Sequence, residues 1–176
     1  MDLQQSFPKR LMDGAVDSEL DWDAIYADQV GRIYAYFRYR LGNDADIEDL
    51  TSRTFEKAWL ARGRYRRDLA GFSTWLFRIA QNVGTDYLRS HRAHLPIDAA
   101  LDVIDDSAPD RDAELGSDRA HLLRLLDRLP ERDRELIALK FGAAISNGRI
   151  AQLMGLSESN VSTVLHRTVQ TLRAKW

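Results

Sequence analysis

The sequence predicts an all-α protein of two small helical domains joined by an acidic, flexible linker. Apolar residues recur at helical spacing along most of the chain, and strand-type alternation is scarce. Charge also changes sign in blocks. Residues 61–93 carry seven basic and two acidic groups, residues 94–118 carry one basic and eight acidic groups, and residues 119–176 carry ten basic and five acidic groups. We therefore divide the chain into an N-terminal tail (1–21), an N-terminal domain (22–93), an acidic linker (94–117) and a C-terminal domain (118–176). The two basic blocks indicate two surfaces for a polyanion.

Composition excludes several classes of protein. The 176 residues include no cysteine, which excludes disulfides, thiolate metal sites and cysteine nucleophiles and is typical of a reducing compartment. No apolar run reaches the roughly 18 residues that a membrane helix needs, and the first 20 residues lack the apolar segment of a secretory signal. We expect a cytoplasmic protein without membrane insertion, metal or cofactor.

Three helices are predicted in the N-terminal domain. The first covers 22–41 and ends at Gly42; the second covers 44–60, with Asp44 as its cap; the third begins near Gly71 and extends to about residue 92. The apolar stripe of the third helix is Phe72, Trp75, Leu76, Ile79, Ala80, Val83 and Tyr87. Phe77 falls off this stripe, so it either packs on the first helix or contacts a ligand.

The second helix presents charged residues opposite its apolar face. Asp46, Asp49, Arg53 and Glu56 are spaced by three and four residues, so they share one side of the helix. Acids in a first helical turn can simply offset the helix dipole, which explains Asp46 better than Glu56. Another alternative is a metal-dependent nuclease that uses Asp46, Glu48 and Asp49, although no second acidic cluster accompanies them.

Residues 147–166 follow a helix-turn-helix pattern. Ala151 is small where two helices approach, Gly155 suits the turn, and the remaining core positions are apolar (Ile150, Met154, Leu156, Val161 and Val164). The second helix, about 158–172, would enter a DNA major groove. Its outward residues are Ser159, Asn160, Ser162, Thr163, His166 and Arg167, with Arg173 as a phosphate contact. The alternative is a helical hairpin that binds nothing.

Three motifs, in order along the chain, carry a resemblance to a known family. They are DIEDLTSRTFEKAW at 46–59, WLFRIAQN at 75–82 and LPERDRE at 129–135. Together with the helix-turn-helix they resemble the bacterial sigma-70 family, extracytoplasmic-function (ECF) subgroup, which has only regions 2 and 4. The resemblance implies a transcription initiation factor that is not an enzyme, directs core RNA polymerase to promoters and helps to melt the minus-ten element. It leaves open whether an anti-sigma factor also binds.

The resemblance assigns roles to the candidate residues. The second helix would dock on the clamp coiled coil of the largest polymerase subunit, and the flap region is a further polymerase contact; the docking residues are Asp46, Glu48, Asp49, Arg53 and Glu56. The Arg-rich loop, residues 62–67, and the third helix would bind minus-ten DNA, single-stranded and duplex. The residues proposed there are Arg64, Tyr65, Arg66, Arg67, Phe72, Arg78, Asn82, Asp86 and Arg89, and the segment 65–71 would hold a flipped base. Phe72 and Trp75 also lie on the apolar stripe, where core packing is the commoner role.

The minus-thirty-five contacts fall on the helix-turn-helix, where the sequence departs from the family pattern. Arg149 stands where a glutamate is usual, and Asn160-Val161-Ser162 replaces a run that ends in a cation. We therefore expect weak duplex binding by this domain alone, and either the protein reads an unusual minus-thirty-five element or it depends more on polymerase for its affinity. A stand-alone helix-turn-helix regulator is the competing hypothesis, and it leaves the acidic helix and the Arg-rich loop unexplained.

Overall fold

The regular structure of the described residues is entirely helical, which confirms the predicted class. The computed structural model describes residues 21–42, 46–94 and 113–176. A 3₁₀ turn covers Arg62–Arg64, and a π-helical turn covers Ala138–Gly142. Within these described ranges there are seven α-helices: α1 (Trp22–Leu41), α2 (Ile47–Leu60), α3 (Phe72–His94), α4 (Ala113–Asp127), α5 (Glu131–Ile137), α6 (Asn147–Met154) and α7 (Glu158–Lys175).

Two glycines end helices as the sequence predicts. Gly42 follows α1 with φ +79°, and Gly155 follows α6 with φ +65° in the left-handed conformation. Residues that carry a Cβ are strained at positive φ, so both positions favour glycine. Helix α7 begins with a cap, because the Ser157 hydroxyl accepts a hydrogen bond of 3.2 Å from the backbone N–H of Asn160.

The helices beside the linker are longer than predicted. Helix α3 continues to His94, and α4 begins at Ala113, inside the segment 94–117 that was predicted as linker. Pro109 is the last helix breaker before Ala-Glu-Leu, three good helix formers, at 113–115. The linker residues 95–112, the tail 1–20 and the predicted Asp44 cap lie outside the described residues.

A wide π-helical turn at Ala138–Gly142 follows directly on α5. The backbone N–H of Ala143 donates to the carbonyl of Ala138 at 2.9 Å, five residues back. This turn brings Gly142 against α1, where a Cβ added to it would lie 2.8 Å from the backbone oxygen of Ala35. Only a glycine allows the two backbones to approach this closely without a shift of one of them.

Helix α1 lies at the centre of the molecule. It packs on α2 and α3 and also on α5 and the π-helical turn, so residues from both domains join one hydrophobic core. Phe77 is fully buried there and packs edge-on against Tyr36, with ring centroids 5.8 Å apart. The prediction that Phe77 packs on the first helix is confirmed, and the alternative of a ligand contact is wrong.

Candidate polymerase and nucleic-acid interface

Helix α2 presents an acidic ridge, which we define as Asp46, Glu48, Asp49 and Glu56 together with Arg53. All five side chains are exposed, while the opposite face of the helix is buried in the core. Asp49 and Arg53 lie 3.8 Å apart with side chains 67% and 51% exposed, and Asp46 lies 3.9 Å from His91. Exposed pairs at such distances contribute about 0–1 kcal/mol, so the ridge contributes little to folding and stays open to a partner.

The Arg-rich loop distributes its cations unevenly. Arg62 lies over the Trp59 ring, 4.1 Å from the centroid, and donates to the Trp59 carbonyl at 2.9 Å. Arg66 donates two hydrogen bonds, of 2.9 and 2.8 Å, to the carboxylate of Asp68. This pairing raises the pKa of Arg66 and lowers the pKa of Asp68. Arg67 is exposed with no ion pair to a described residue, so its charge is the more accessible of the two.

An aromatic cluster lies beside this loop. The ring of Tyr65 is 5.3 Å from that of Phe72 and 5.2 Å from that of Trp75, and Trp22 contacts Phe72 edge-on at 5.6 Å. All four rings are half-buried. Phe72 and Trp75 therefore pack as expected for the apolar stripe, and the cluster also retains open ring surface on which an unstacked base could lie.

The outer face of α3 carries four predicted minus-ten residues. Arg78, Asn82, Asp86 and Arg89 are all exposed and lie three or four residues apart. Although Arg78 is exposed, its Nη2 donates a hydrogen bond of 3.1 Å to the backbone carbonyl of Gln152 in α6. The helix-turn-helix thus contacts the predicted minus-ten surface directly.

Helices α6 and α7 form the predicted helix-turn-helix. Ile150, Ala151, Val161 and Val164 are buried as expected, and Leu156 is half-buried. Met154 is also half-buried, because its sulfur lies 3.3 Å from the side-chain amide of Gln81 in α3. Three further core positions of this hairpin were not among those predicted: Leu153, Leu165 and Thr168.

The predicted recognition face of α7 is exposed at every position. It presents Ser159, Asn160, Ser162, Thr163, His166 and Arg167, and Arg173 is exposed one turn beyond. Ser162 accepts a hydrogen bond of 2.9 Å from the amide of Asn147, and Arg167 pairs with Asp133 at 3.2 Å. The face therefore offers mostly uncharged hydrogen-bonding groups, which suit base edges better than phosphates.

A polar cluster with a buried centre lies between the two domains and was not predicted. Tyr36 and Arg40 from α1 and Glu135 from α5 are buried, and they are joined at the edge by half-buried Gln81 and exposed Thr85 from α3. The sequence does contain a partial signal, because Arg40 follows Tyr36 and Phe37 at helical spacing and so extends a buried stripe. Nothing in the local pattern identifies Glu135 as its partner.

Two further properties of the described residues bear on other classes of protein. Over residues 21–42, 46–94 and 113–176, no group of three or more His, Asp or Glu side chains could hold a metal ion. None of the helices in the described part of the chain is both long and apolar enough to cross a membrane.

A helix-turn-helix combined with an exposed acidic ridge and a cationic, aromatic loop is the arrangement expected of a DNA-binding protein that also has a protein partner. The Sigma-70 region 2 family matches residues 25–94, and the Sigma-70 region 4 family matches residues 119–172. The ECF RNA polymerase sigma factor ShbA of Streptomyces griseus is 32% identical over 143 residues, which cover 77% of this chain and 75% of ShbA. The chain belongs to the ECF RNA polymerase sigma factors, which are transcription initiation factors.

Other relatives extend the similarity along the chain. The ECF sigma factor BldN of Streptomyces coelicolor is 32% identical over 166 residues, covering 92% of this chain but only 63% of BldN. SigM of Bacillus subtilis is 27% identical, with 86% of this chain and 93% of SigM covered. Among solved structures, CnrH in complex with the cytosolic domain of CnrY has a TM-score of 0.60 and 25% identity, over 87% of this chain and 83% of that one. The sigma factor RpoE of Bartonella quintana, in complex with NepR, shares the fold at 17% identity and a TM-score of 0.66 over 88% and 95% of the chains.

Proposed function

We propose that this chain docks on core RNA polymerase through the acidic ridge of α2, directs the enzyme to specific promoters and helps to open the minus-ten element. The observation that carries the proposal is the exposed acidic ridge in the region 2 segment of a chain that also carries a region 4 helix-turn-helix. The proposal assigns the N-terminal domain (22–93) to polymerase and the minus-ten element, and the C-terminal domain (118–176) to the minus-thirty-five element.

For the ridge to dock on a partner, its charged side chains must exchange their contacts with water for contacts with that partner. The ion pair between Asp49 and Arg53 in the ridge is long, at 3.8 Å, and both side chains are more than half exposed. A basic surface on the polymerase clamp coiled coil could therefore pair with these carboxylates without breaking a strong internal interaction. The polymerase flap region is the proposed contact of the C-terminal domain.

Melting requires cations that follow phosphates and surfaces that hold unstacked bases. The loop supplies exposed cations at Arg64 and Arg67, and the aromatic cluster of Tyr65, Phe72 and Trp75 lies next to it. Extruding one base costs a few kcal/mol, which stacking on a ring, at about 1–3 kcal/mol per base, would offset. The segment 65–71 is the proposed pocket for the flipped base, and Arg78, Asn82, Asp86 and Arg89 lie toward the duplex edge.

The minus-thirty-five element would be read by hydrogen bonds from α7. Serine and threonine hydroxyls reach several base edges, and asparagine pairs best with adenine. Because Arg167 is paired with Asp133, few cations remain on this face for phosphate. The C-terminal domain should therefore depend on polymerase for most of its affinity. The chain itself is proposed to perform no covalent chemistry and to act in the cytoplasm, where the polymerase synthesises RNA.

Run-off transcription with purified core polymerase on genomic fragments tests the proposal. Added chain should stimulate discrete transcripts, and sequencing their 5′ ends should return two shared upstream elements. A known sigma factor on its own promoter serves as the positive control. Absence of stimulation beside a working control would contradict the proposal, and tight duplex binding without polymerase would favour a stand-alone helix-turn-helix regulator instead.

An anti-sigma factor is a further proposed partner. Support comes from CnrH, which is 25% identical to this chain and was solved in complex with the cytosolic domain of CnrY. Such a partner should lower run-off transcription in proportion to its concentration, and adding excess core polymerase should reverse the effect if the two compete.

A further inference from the structure

The recognition helix α7 carries a cation that is bonded to a neighbouring helix. Arg167 is exposed on α7, and its Nη2 donates to Oδ2 of Asp133 in α5 at 3.2 Å. It shares a stripe with Asn160 and Thr163, since the three residues are spaced by three and four positions along the helix. Arg167 therefore lies on the face of α7 that is proposed to enter the major groove, one turn beyond Thr163.

The carboxylate that accepts from this arginine is the better enclosed of the two partners. The side chain of Asp133 is 16% exposed, whereas that of Arg167 is 68% exposed. The hydroxyl of Thr168, a buried residue of α7, donates to the same carboxylate oxygen at 3.4 Å. Because the acid is enclosed and accepts two hydrogen bonds while the arginine is open to solvent, Asp133 is the fixed member of the pair and Arg167 extends from it.

The bond to Asp133 leaves Arg167 able to bind a second group. A guanidinium carries five N–H donors in a planar fork, and this bond engages Nη2 alone. Arginine donates two parallel hydrogen bonds to O6 and N7 of guanine, which is the commonest specific contact in a DNA major groove. A guanidinium that is already held by a carboxylate loses less rotamer freedom when it binds a base, so the pair with Asp133 prepares Arg167 for such a contact.

We propose that Asp133 is a positioning residue that orients Arg167 toward the edge of a guanine in the minus-thirty-five element. The inference rests on the proposed function, because it concerns the DNA face of the same helix-turn-helix. The other groups on the exposed stripe of Arg167 are the amide of Asn160 and the hydroxyl of Thr163. A charge-assisted contact made through two parallel bonds is stronger than a bond from either group, so it would contribute a large part of the discrimination between bases.

Two simpler roles for Asp133 lead to different experimental results. Asp133 lies in the first turn of α5, where an acid offsets the helix dipole, and in that role it would affect stability alone. In the second role Arg167 would contact a phosphate, and the negative charge of Asp133 would only weaken that contact. Because a phosphate contact carries no sequence information, removal of the acid would then raise the affinity for every DNA sequence by the same factor.

Affinity measurements with the holoenzyme distinguish these roles. In a promoter identified by run-off transcription, each base pair of the minus-thirty-five element is replaced in turn, and the affinity of the holoenzyme is measured for each duplex. With the wild-type chain, replacement of one guanine should lower the affinity about tenfold or more. With Asp133→Ala the penalty at that guanine should fall to about threefold or less, while the penalties at the other positions stay unchanged. An equal penalty at the guanine in both proteins, or a uniform rise in affinity for all sequences, would overturn the inference.

Substitutions at Arg167 identify the group that reads the guanine. Arg167→Lys keeps the charge but removes the planar fork, so it should lose the preference for guanine while the salt dependence of binding stays unchanged. In the Arg167→Lys background, Asp133→Ala should cause no further loss of base preference, because the group that it positions is absent. A further loss in the double variant would show that Asp133 acts on another residue and would overturn the inference.

Glu131→Ala is the matched control, since Glu131 is exposed in the same first turn of α5. It removes the same charge and should leave the preference for guanine unchanged. Asp133→Asn, which keeps an acceptor oxygen and the size of the side chain, is the second variant and should lose less of the preference than Asp133→Ala. A fall in Tm with unchanged base preference in both Asp133 variants would assign the acid to the helix dipole and overturn the inference. If the wild-type holoenzyme neither stimulates transcription nor prefers any minus-thirty-five sequence, the proposed function itself is contradicted.

Discussion

Two arginine–carboxylate pairs in this molecule differ in almost every physical respect. Arg40 and Glu135 meet at 2.5 Å with side chains 6% exposed, whereas Arg53 and Asp49 lie 3.8 Å apart and are more than half exposed. The first pair joins two domains and the second lies on one helix. The comparison indicates that loss of one partner should be costly in the buried pair and cheap in the exposed pair, because only the buried partner is left without water to solvate its charge.

The largest expected effect comes from breaking the buried pair. Arg40→Ala leaves Glu135 buried without its counter-charge, so the free energy of unfolding should fall by about 3–5 kcal/mol. Urea unfolding followed by circular dichroism measures this loss. Arg53→Ala, in the exposed pair, should cost less than about 1 kcal/mol. The double variant Arg40→Met with Glu135→Leu should recover much of the loss, and equal losses in the single and double variants would contradict the account.

The space around the buried arginine gives the next prediction. A glycine-to-alanine change inside a helix usually stabilises by about 0.5–1 kcal/mol. At Gly84 the added Cβ would lie 2.5 Å from Nη1 of Arg40, so we expect Gly84→Ala to destabilise by about 1–3 kcal/mol instead. Gly31 in α1 has open space around it and is the matched control, where alanine should stabilise. Thermal unfolding of the two variants should shift Tm in opposite directions, and a shift of the same sign would show that Arg40 moves aside easily.

A charge reversal in the exposed ridge should lower the affinity for polymerase without changing the stability of the fold. Asp49→Arg reverses a charge on the proposed docking face, so affinity for core polymerase should fall about tenfold or more while the helical signal is unchanged. Asp23→Arg is the control, because Asp23 and Asp49 each lie in the first turn of a helix and share the same dipole effect. Fluorescence anisotropy with labelled chain measures both affinities. If the two variants lost polymerase affinity equally, the effect of Asp49→Arg would come from its influence on the helix and not from a docking contact.

The smallest expected effect distinguishes two neighbouring cations of the loop. Arg66 is already paired with Asp68 through two hydrogen bonds, whereas Arg67 is exposed without an ion pair to a described residue. Arg67→Ala should therefore reduce the salt dependence of single-stranded minus-ten DNA binding by about 0.7 in the slope of log K against log salt, and Arg66→Ala by less. Holoenzyme titrations at several salt concentrations measure the slopes, with Arg124→Ala as a control outside the proposed DNA surfaces. A larger effect at Arg66 would show that Asp68 releases it on binding.

Local sequence patterns were sufficient for the helices and for most of the exposed faces. Periodicity placed α1 and the helix-turn-helix at or close to their observed bounds, and it placed the ridge residues on one exposed side of α2, because a helix determines which side chains share a face. The same rule could not predict whether Phe77 packs on α1 or contacts a ligand, because the pattern of one helix does not identify its neighbours. The structure shows that Phe77 packs against Tyr36 of α1. The boundary of α4 differed because helix propensity beyond Pro109 outweighed the acidic composition.

The sequence by itself determined the helical class, the family motifs and the charge of each exposed surface, because these depend on the order of neighbouring residues. Only the tertiary structure decided that the two halves share a core, that Glu135 is the partner of Arg40 and that Gly142 touches the backbone of α1. These pairings join residues about a hundred positions apart. Their stability comes from desolvation and close packing, which depend on which surfaces meet and not on what lies next along the chain.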